Sequence, residues 1–296
     1  LYRGIQRHLV EAADAPGAFA GFEGDIKDIK AIEFVDQNPI GKSSRSNCAT
    51  YMKAYDEIRR VFAEQQMSRQ FGFTPATFSF NVEGGRCEEC KGEGTITVEM
   101  QFMADITIEC ESCHGQRFNS DVLEVKYKDK NIAEVLDMSV NEACEFFKDQ
   151  PRVLERLVPL QKVGLGYIKL GQSSSTRSGG ENQRVKLAYY LTEIVSPVSS
   201  SRHKDNHTMF IFDEPTTGLH LHDVRILLEA FNLLLQCGHT LIIIEHNLEV
   251  IKCADHIIDL GPEGGDEGGQ LVFQGTPKDL LACESSYTAK ALKDII

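Results

Sequence analysis

Two short apolar runs, each followed at once by polar side chains, dominate the hydrophobic pattern of the chain. Met209–Phe212 runs directly into Asp213 and Glu214, and Thr240–Ile244 runs into the polar residues 245–247. A short apolar run bounded by turn residues is typical of a buried strand in a parallel sheet. Ligands bind beyond the carboxyl ends of such strands, so both polar groups are expected at one edge of the sheet. The simpler alternative is a strand that happens to end in acids before a turn.

The rest of the pattern predicts further strands and helices. Strands are predicted at Ile29–Val35, Thr77–Val82, Thr95–Met103, Asp121–Tyr127, Ile257–Leu260 and Gln270–Phe273, of which the last two are expected to complete the main sheet. Helices are predicted at Asp56–Gln66, Ile132–Leu136, Val140–Phe147, Val153–Leu160 and His222–Cys237, with another beginning after Ser178.

Three side chains at the predicted sheet edge suit nucleotide chemistry. Of the two carboxylates, Asp213 and Glu214, one can hold Mg²⁺ while the other polarises an attacking water. His246, which follows the second apolar run, can donate a hydrogen bond to a γ-phosphate or orient the water. A lone histidine after a strand is usually structural, so its interpretation depends on the neighbouring carboxylates.

A second group of polar residues begins a predicted helix. Ser178 and Glu181 form an S-x-x-E capping box. The backbone N–H groups of Gly179 and Gly180, the serine hydroxyl and the positive end of the helix dipole suit a terminal phosphate. S-x-x-E alone also marks many ordinary capped helices. The longer pattern S-G-G-E-x-Q-R, which includes Gln183, is much rarer and favours the phosphate interpretation.

Four of the nine cysteines form two C-x-x-C pairs. Cys87 and Cys90 are followed after nineteen residues by Cys110 and Cys113. Four thiolates satisfy tetrahedral Zn²⁺, and a hairpin between the pairs would close the site. The alternative is a group of four buried or redox-active thiols. With cysteine at every position and no open coordination site, the predicted zinc is structural.

Composition limits the function classes. The 296-residue chain is 42% hydrophobic and 25% charged, and its formal charge of −13 excludes a globally basic nucleic-acid binder but not a local basic strip. No apolar run approaches the roughly 18 residues of a membrane span, and no signal-peptide pattern follows the N-terminus. We expect a cytoplasmic protein without a membrane segment. Since the chain begins without methionine, we interpret it as a piece of a longer protein.

The sequence around Gly41 invites a false assignment as a phosphate-binding loop. G-x-x-x-x-G-K-[ST] requires glycine at position 36, where this chain has Asp36. No other segment supplies the motif. If the chain is part of an ATPase, its main phosphate loop is expected outside residues 1–296.

Together these motifs resemble the ABC ATPase class. Asp36-Gln37 resembles its Q-loop, 178–183 its signature, 210–214 its Walker B strand, 217–220 its D-loop and His246 its switch histidine. With the cysteine pairs between Q-loop and signature, nearly the whole chain resembles the C-terminal half of the UvrA family, the damage-recognition subunits of bacterial nucleotide excision repair. Two residues depart from that family's pattern: Arg177 stands where leucine is usual before the signature, and Cys48 where proline is expected.

The resemblance implies an α/β fold, namely an incomplete P-loop NTPase domain of the ABC type with a mostly parallel sheet. Residues 1–45 would form its first part and 166–296 its second part. Between them, 46–165 would be an inserted α+β signature domain with the zinc module at 84–118.

The resemblance also implies site residues and cofactors. The catalytic candidates are Glu214, His246 and Gln37, and the candidates for ATP and Mg²⁺ are Asp213, Ser178, Gly179, Gly180, Glu181 and Gln183. ABC sites form between two domains, so this signature would complete the site of the other ABC half. The full-length protein would be a homodimer that works with a UvrB-type subunit on damaged duplex DNA. Without a Walker A segment, this chain alone is expected to hydrolyse ATP negligibly.

Basic residues cluster around the cysteine pairs. The candidates for contact with DNA phosphates are Arg86, Lys91, Arg117, Lys126 and Lys128, followed by Lys130. A solvated surface of mixed charge is an equally good interpretation. Two competing functions also stay open: an ABC ATPase of another system, such as a transporter motor, and a non-catalytic module that binds DNA or protein.

Overall fold

The computed structural model describes residues 1–10, 13–41, 43, 45–98, 100, 106–195, 207–263, 265, 268–293 and 295. A polar surface loop is predicted at Ser196–His207, and its residues 196–206 lie outside the described part, as do the tip of the predicted hairpin at 101–105 and Lys42 and Ser44. Within the described part of the chain, no helix has the length and apolar character needed to cross a membrane.

Seven strands and thirteen α-helices make up the described fold. The strands are β1 (Ala31–Val35), β2 (Thr95–Val98), β3 (Ile106–Glu109), β4 (Thr208–Asp213), β5 (Thr240–Ile244), β6 (Ile257–Gly261) and β7 (Gln270–Gly275). The helices are α1 (Tyr2–Leu9), α2 (Cys48–Tyr51), α3 (Ala54–Ala63), α4 (Gln66–Phe71), α5 (Ser120–Glu124), α6 (Ile132–Asp137), α7 (Val140–Phe146), α8 (Pro151–Lys162), α9 (Gly179–Val195), α10 (Leu221–Gln236), α11 (Leu248–Ile251), α12 (Pro277–Leu280) and α13 (Tyr287–Lys293).

A parallel sheet in the order β1-β4-β5 carries the two apolar runs of the sequence. Val35 pairs with Phe212, and Asp213 pairs with Ile244, so the three strands end at the same edge. Phe210 and Phe212 are almost fully buried, which explains the apolar character of β4. The strands predicted at Ile29–Val35, Met209–Phe212 and Thr240–Ile244 are therefore confirmed, together with the parallel arrangement.

One hydrophobic cluster joins this sheet to the helices of residues 46–165. It contains Val35 and Phe212 from the sheet, Leu191 from α9, and Phe62 and Leu160 from the inserted helices. The inserted helices therefore pack onto the same core as the sheet, since burying their apolar faces there removes the most surface from water. The helices predicted at Asp56–Gln66, Ile132–Leu136, Val140–Phe147, Val153–Leu160 and His222–Cys237 are confirmed to within a few residues.

The prediction of a strand at Thr77–Val82 was wrong. Phe78 and Phe80 are fully buried, as the alternation requires, but the backbone forms successive turns in which Thr77 N donates to Thr74 O and Ser79 N to Ala76 O. The Tyr55 hydroxyl donates to Phe78 O at 2.6 Å. The alternation marks two aromatic anchors in the core, and no strand pairs with this segment in the described structure.

The strand predicted at Asp121–Tyr127 was also wrong, because helix α5 begins there. The Asn119 side chain caps it by accepting a hydrogen bond from Val122 N at 3.0 Å. Val122 and Val125 are both fully buried, and Val125 N donates to Val122 O at 3.3 Å where the helix ends. A short apolar run with an asparagine in front of it fits a capped helix as well as a strand.

Strands β6 and β7 do not complete the main sheet, contrary to expectation. They form a separate antiparallel pair in which Ile257 lies opposite Gly275. Ile257 packs with Leu280 of α12 and with Ala289 and Leu292 of α13 in a small second cluster. Ile257 and Phe273 face this cluster, whereas Ile258, Leu260 and Leu271 are exposed.

Candidate functional site

Two glutamine side chains join the signature helix, the Q-loop and the central strand at the carboxyl edge of the sheet. Gln183 of α9 donates through Nε2 to Val35 O at 2.7 Å and to Asp213 O at 3.1 Å. Gln37 donates through Nε2 to Asp213 O and Glu214 O, each at 3.4 Å. Three segments far apart in sequence therefore meet at the end of β4.

The first turn of α9 packs tightly against both neighbouring loops. A Cβ atom added to Gly179 would lie 2.7 Å from Gln37 Oε1, and one added to Gly180 would lie 2.8 Å from Thr217 O. A contact shorter than about 3 Å cannot be accommodated without movement. The glycine pair therefore allows the helix start to approach the Q-loop and the 217–220 loop.

Ser178 and Glu181 form the capping box that the sequence predicts. Glu181 N donates to Ser178 Oγ at 3.2 Å, and Ser178 N donates to Glu181 Oε2 at 2.9 Å. The Tyr167 hydroxyl donates to Glu181 Oε1 at 2.6 Å. Burial acts to raise the pKa of Glu181, but the hydrogen bonds from Tyr167 and Ser178 outweigh it and lower that pKa. Glu181 is thus held as a carboxylate, and the Ser178 side chain stays exposed.

The two carboxylates after β4 differ in environment. Asp213 is half-buried and Glu214 is exposed. Glu214 adopts a left-handed conformation with φ of 45°, and its N–H donates to Ile244 O at 2.9 Å. A left-handed residue other than glycine costs roughly 1–2 kcal/mol, and such strain is concentrated at functional sites. The turn sends the chain away from the sheet immediately after the carboxylate pair.

Glu245, which our site prediction did not include, connects the loops that follow β4 and β5. One carboxylate oxygen accepts a hydrogen bond from Thr216 N at 2.8 Å. The other accepts from His246 N at 2.8 Å and Asn247 N at 2.9 Å. The side chain of His246 is exposed at the same edge as Glu214. The sequence signal for Glu245 was present, because it directly follows the apolar run of β5, but its partners are backbone groups that no motif reveals.

Lys186 was also missed, although it lies one turn beyond Gln183 on α9. Its ammonium pairs with a carboxylate oxygen of Asp36 and donates to Asn38 O at 2.8 Å. Burial acts to raise the pKa of Asp36, but the hydrogen bonds from Lys186 and Asn38 outweigh it and lower the pKa. Lys186 therefore holds the two residues that flank Gln37, Asp36 and Asn38, on α9.

The two departures from the family pattern lie close together beneath the signature. Arg177 is buried, and its guanidinium donates to Gln172 O at 3.2 Å and to Ser173 O at 3.5 Å. Burial lowers the pKa of Arg177. Cys48 is fully buried and donates to Leu170 O at 3.5 Å, and burial raises the pKa of its thiol to about 11. Arg177 thus supports the turn before Ser178.

The four predicted zinc ligands form one buried cluster. Their sulfur atoms all lie within 4.8 Å of one another, with Cys87 and Cys110 3.9 Å apart and Cys90 and Cys113 3.6 Å apart. A tetrahedron with Zn–S bonds of about 2.3 Å has edges of about 3.8 Å, so the cluster has the right size for zinc. Gly94 N donates to Cys90 Sγ at 3.2 Å, as expected for a thiolate ligand.

The thiol pKa values are spread within the cluster. Burial acts to raise the pKa of Cys87, but backbone N–H groups and Cys90 outweigh it and bring the pKa to about 7. Burial, with added repulsion from Cys90 and Cys110, raises the pKa of Cys113 to about 12. Four close sulfur atoms cannot all ionise unless a cation joins them, and Zn²⁺ supplies that charge.

The predicted DNA-contacting residues lie in different environments. Arg86 pairs with Glu83 and Glu88. Lys128 pairs with Asp149 at 2.5 Å. Arg117 is half-buried, whereas Lys91 and Lys126 are exposed. DNA contact by these five residues stays a prediction.

Comparisons with known proteins give consistent matches along the whole chain, although no family model matches. The chain is 50% identical over 293 residues to UvrABC system protein A of Clostridium perfringens, covering 99% of this chain and 30% of that protein. It is 48% identical over 296 residues to the protein of the same name from Methanothermobacter thermautotrophicus, again covering 30% of it. The chain thus spans about 30% of the length of these curated relatives.

A solved structure extends the match to three dimensions. The structure of UvrA2 from Deinococcus radiodurans matches with a TM-score of 0.84 and 42% identity, over 93% of this chain and 32% of that one. The predicted fold class, an incomplete α/β domain of the ABC type with an inserted region that carries the cysteine cluster, is confirmed. The proposed boundaries at residues 45 and 165 stay predictions.

Proposed function

Because the chain matches the UvrA family along its whole length, we propose that it is part of an ABC-type ATPase that recognises damaged DNA in nucleotide excision repair. In this proposal the chain supplies the Q-loop, signature, Walker B strand, D-loop and switch histidine. The full-length protein acts as a cytoplasmic homodimer on damaged duplex DNA with a UvrB-type subunit. The proposal needs no membrane partner.

The observation that carries the proposal is the meeting of three segments at the end of β4. Gln37 and Gln183 both bind the backbone there, and Gly180 brings the signature close to the loop after Glu214. These contacts couple the three segments to one another. ATP hydrolysis requires such coupling, because phosphate-sensing and water-activating groups must move as one unit.

The chemistry follows from the exposed groups at this edge. Asp213, at the end of a rigid strand, would bind Mg²⁺, which neutralises charge on the phosphates. Glu214 would act as general base toward the attacking water, and Gln37 would contact the water or Mg²⁺. His246 would donate a hydrogen bond to the γ-phosphate. Glu245 positions His246 through its backbone N–H.

The signature would act on a second ATP, held by the other ABC half of the full-length protein. The first N–H groups of an α-helix have no partner within the helix, so those of Gly179 and Gly180 are available to a γ-phosphate. The Ser178 hydroxyl accepts the capping bond from Glu181 N, and its exposed side chain is accessible to a phosphate. Glu181 and Gln183 hold this turn in place.

Zinc would be structural in this proposal. Cys87, Cys90, Cys110 and Cys113 fit a closed four-thiolate site, which leaves no position for substrate. When bound, the metal would hold the two cysteine turns together. No step of ATP hydrolysis passes through it.

DNA binding is proposed through phosphate contacts near the zinc module. The exposed lysines, Lys91 and Lys126, are free to meet a phosphate without breaking an ion pair described here, whereas Arg86 and Lys128 must exchange a carboxylate for it. Phosphate contacts are independent of base sequence, which suits recognition of many lesions.

Two variants of the full-length protein that carries this chain test the ATPase assignment. Glu214→Gln should abolish steady-state hydrolysis but retain binding of Mg·ATP, because the amide cannot accept a proton. Glu229→Gln, an exposed position on α10, is the matched control and should leave turnover unchanged. Equal turnover in both variants would contradict the role of Glu214.

Assays of the chain alone test the proposed DNA contacts, whereas the full-length variant separates the ATPase proposal from a purely binding module. It should hydrolyse ATP negligibly, and its affinity for duplex DNA should fall steeply as salt rises. DNA binding that does not weaken with salt would exclude phosphate contacts. If Glu214→Gln leaves the full-length protein fully active, a non-catalytic binding module becomes the better assignment.

A further inference from the structure

We propose that the zinc module (residues 84–118) positions the ATP signature by holding two chain segments that pair with each other beside the signature. These are the post-Q segment (residues 43 and 45–47) and the pre-signature segment (residues 171–177). Arg117 and Arg45 are the positioning residues. The inference rests on the zinc site of the proposed function and assigns that site a task beyond local stability.

Arg117 provides the contact to the pre-signature segment. It follows the second cysteine turn, and its Nη2 donates to Gly171 O at 3.1 Å while its guanidinium lies 5.5 Å from the centre of the Phe80 ring. Gly171 N in turn donates to Leu136 O at 2.7 Å. The Gly171 peptide is therefore held from both sides, by the zinc module and by α6.

The Arg117 guanidinium is held at an energetic cost. Its Nη1 is buried and has no hydrogen-bond partner in the described structure, and the residue has a left-handed backbone with φ of 72°. A buried unpaired donor and a strained backbone are unfavourable, so a protein retains them where the remaining contacts matter. For Arg117 those contacts are Gly171 O and the Phe80 ring.

Arg45 provides the contact to the post-Q segment. Its Nη1 donates to Lys91 O, at the first cysteine turn, at 3.4 Å. Arg45 also donates through its backbone N–H to Ser43 Oγ at 3.2 Å. The first cysteine turn therefore holds the post-Q segment, just as the second holds the pre-signature segment.

The two held segments pair directly with each other. Asn47 and Ser173 form an antiparallel bridge, and Ser174 N donates to Ser46 O at 2.7 Å. Asn182, in the first turn of α9, donates through Nδ2 to Ser174 O at 3.2 Å. Any shift of this pair is therefore transmitted to the first turn of α9 and to Ser178.

The cysteine cluster fixes the distance between the two contacts. Sulfur atoms from the first and second turns lie 3.6 Å and 3.9 Å apart, and Cys87 N donates to Arg117 O at 2.9 Å. With zinc bound, the two turns become one rigid body. Without zinc, no metal–sulfur bonds join the two turns.

One side of these contacts faces an open space. A cavity of about 750 Å³ lies between the zinc module, α6 and the pre-signature segment, and Arg117, Gly171 and Ser173 line it. Since neighbouring side chains do not fill this space, the loss of the Arg117 hydrogen bond is not compensated by apolar contacts.

Hydrogen exchange of the chain, measured by mass spectrometry on peptides covering residues 170–183, tests the inference. Removing zinc from the unsubstituted chain with a chelator should speed exchange there about tenfold, the change that one charge-assisted hydrogen bond supports. Arg117→Met should do the same with zinc still bound. Zinc removal from that variant should add less than it adds in the unsubstituted chain, because only the Arg45 contact is then left to lose.

The controls separate coupling from general loosening. Arg86→Met also removes a guanidinium from the zinc module, but its ion pairs are with Glu83 and Glu88, so exchange of 170–183 should stay unchanged. Arg117→Lys keeps a donor and should restore part of the protection. Metal analysis of every variant establishes whether one zinc is bound.

Two results would overturn the inference in distinguishable ways. If the chain binds one zinc and 170–183 exchanges equally in the Arg117→Met variant and the unsubstituted chain, the coupling is refuted and the zinc site stands. If the chain binds no zinc, the zinc assignment itself fails and the coupling fails with it.

Discussion

A single methyl group tests the close approach of the signature helix to the loop after β4. Gly180 has an ordinary helical backbone, so Gly180→Ala adds no conformational strain. Its new Cβ atom would lie 2.8 Å from Thr217 O, which is 0.6 Å short of ordinary contact at 3.4 Å. The contact atom belongs to the backbone, so either the start of α9 or the 217–220 loop must move.

The expected cost follows from two opposing effects. Overpacking at a tight site costs about 1–3 kcal/mol. Alanine gains up to about 1 kcal/mol over glycine in a helix, and less in its first turn. The free energy of unfolding should therefore fall by about 1–2 kcal/mol, which corresponds to roughly 2–8 °C in Tm at roughly 2–4 °C per kcal/mol.

Thermal unfolding of three glycine variants with zinc present measures this effect. Gly21→Ala is the control, because its Cβ meets nothing within 4 Å, and it should be neutral or slightly stabilising. Gly179→Ala should lower Tm as well, since its Cβ would lie 2.9 Å from Gln37 Cβ. In the full-length protein, Gly180→Ala should also reduce ATP turnover by moving Ser178.

The reasoning is refuted if Gly180→Ala unfolds at the same temperature as Gly21→Ala. Such a result would mean that the first turn of α9 does not contact the 217–220 loop in solution. A lower Tm with unchanged turnover in the full-length protein would keep the contact but remove its link to the signature.

Four further outcomes follow from the contacts around the site. Lys186→Met should destabilise the chain at neutral pH. The Lys186 ammonium helps to hold the pKa of Asp36 below the ordinary 3.8. The loss of stability should therefore fade as pH falls below about 3.8 in a series of Tm measurements. A loss of stability that is independent of pH would contradict this role of Lys186. Glu245→Gln leaves only one acceptor oxygen for the N–H groups of both loops and should cost about 1–3 kcal/mol in denaturant unfolding; an unchanged midpoint would exclude the bridge. Arg177→Leu loses two long hydrogen bonds but also a buried unpaired nitrogen, so stability should change by less than about 1 kcal/mol, and a loss above about 3 kcal/mol would refute this balance. Cys110→Ser should abolish binding of one zinc per chain by metal analysis, whereas the exposed Cys237→Ser should not; retained zinc in the first variant would exclude Cys110 as a ligand.

The fold was predictable wherever a local sequence pattern is compatible with only one structure. The continuous apolar runs of β4 and β5 and the polar residues after them predict the parallel strands and the polar edge of the sheet together. The cysteine spacing predicted a cluster whose sulfur atoms indeed lie within 4.8 Å of one another. The capping box at Ser178 and Glu181 predicted both the start of α9 and its hydrogen bonds.

Prediction failed where two structures satisfy the same pattern. Phe78 and Phe80 alternate like strand residues, yet they anchor a series of turns, because burial of both rings in one core decides the backbone. Val122 and Val125 fit a strand by composition and a helix by spacing, and the Asn119 cap decides for the helix. Ile257 looked like part of the main sheet, but a separate cluster with α12 and α13 uses its apolar surface.

The contacts that sequence reasoning missed, including that of Arg117, which it assigned to DNA, share one physical property: the side chain binds a backbone group of a distant segment. Lys186 donates to Asn38 O, Glu245 accepts from Thr216 N, and Arg117 donates to Gly171 O. A backbone carbonyl or N–H is present at every position, so the partner's side chain carries no signal of the contact. A catalytic motif names the groups that meet the ligand, whereas the residues that hold its segments together can be recognised only when the fold brings them into contact. Variants at Lys186, Glu245 and Arg117 should therefore affect the coordination of the loops while leaving the exposed chemical groups of the site in place.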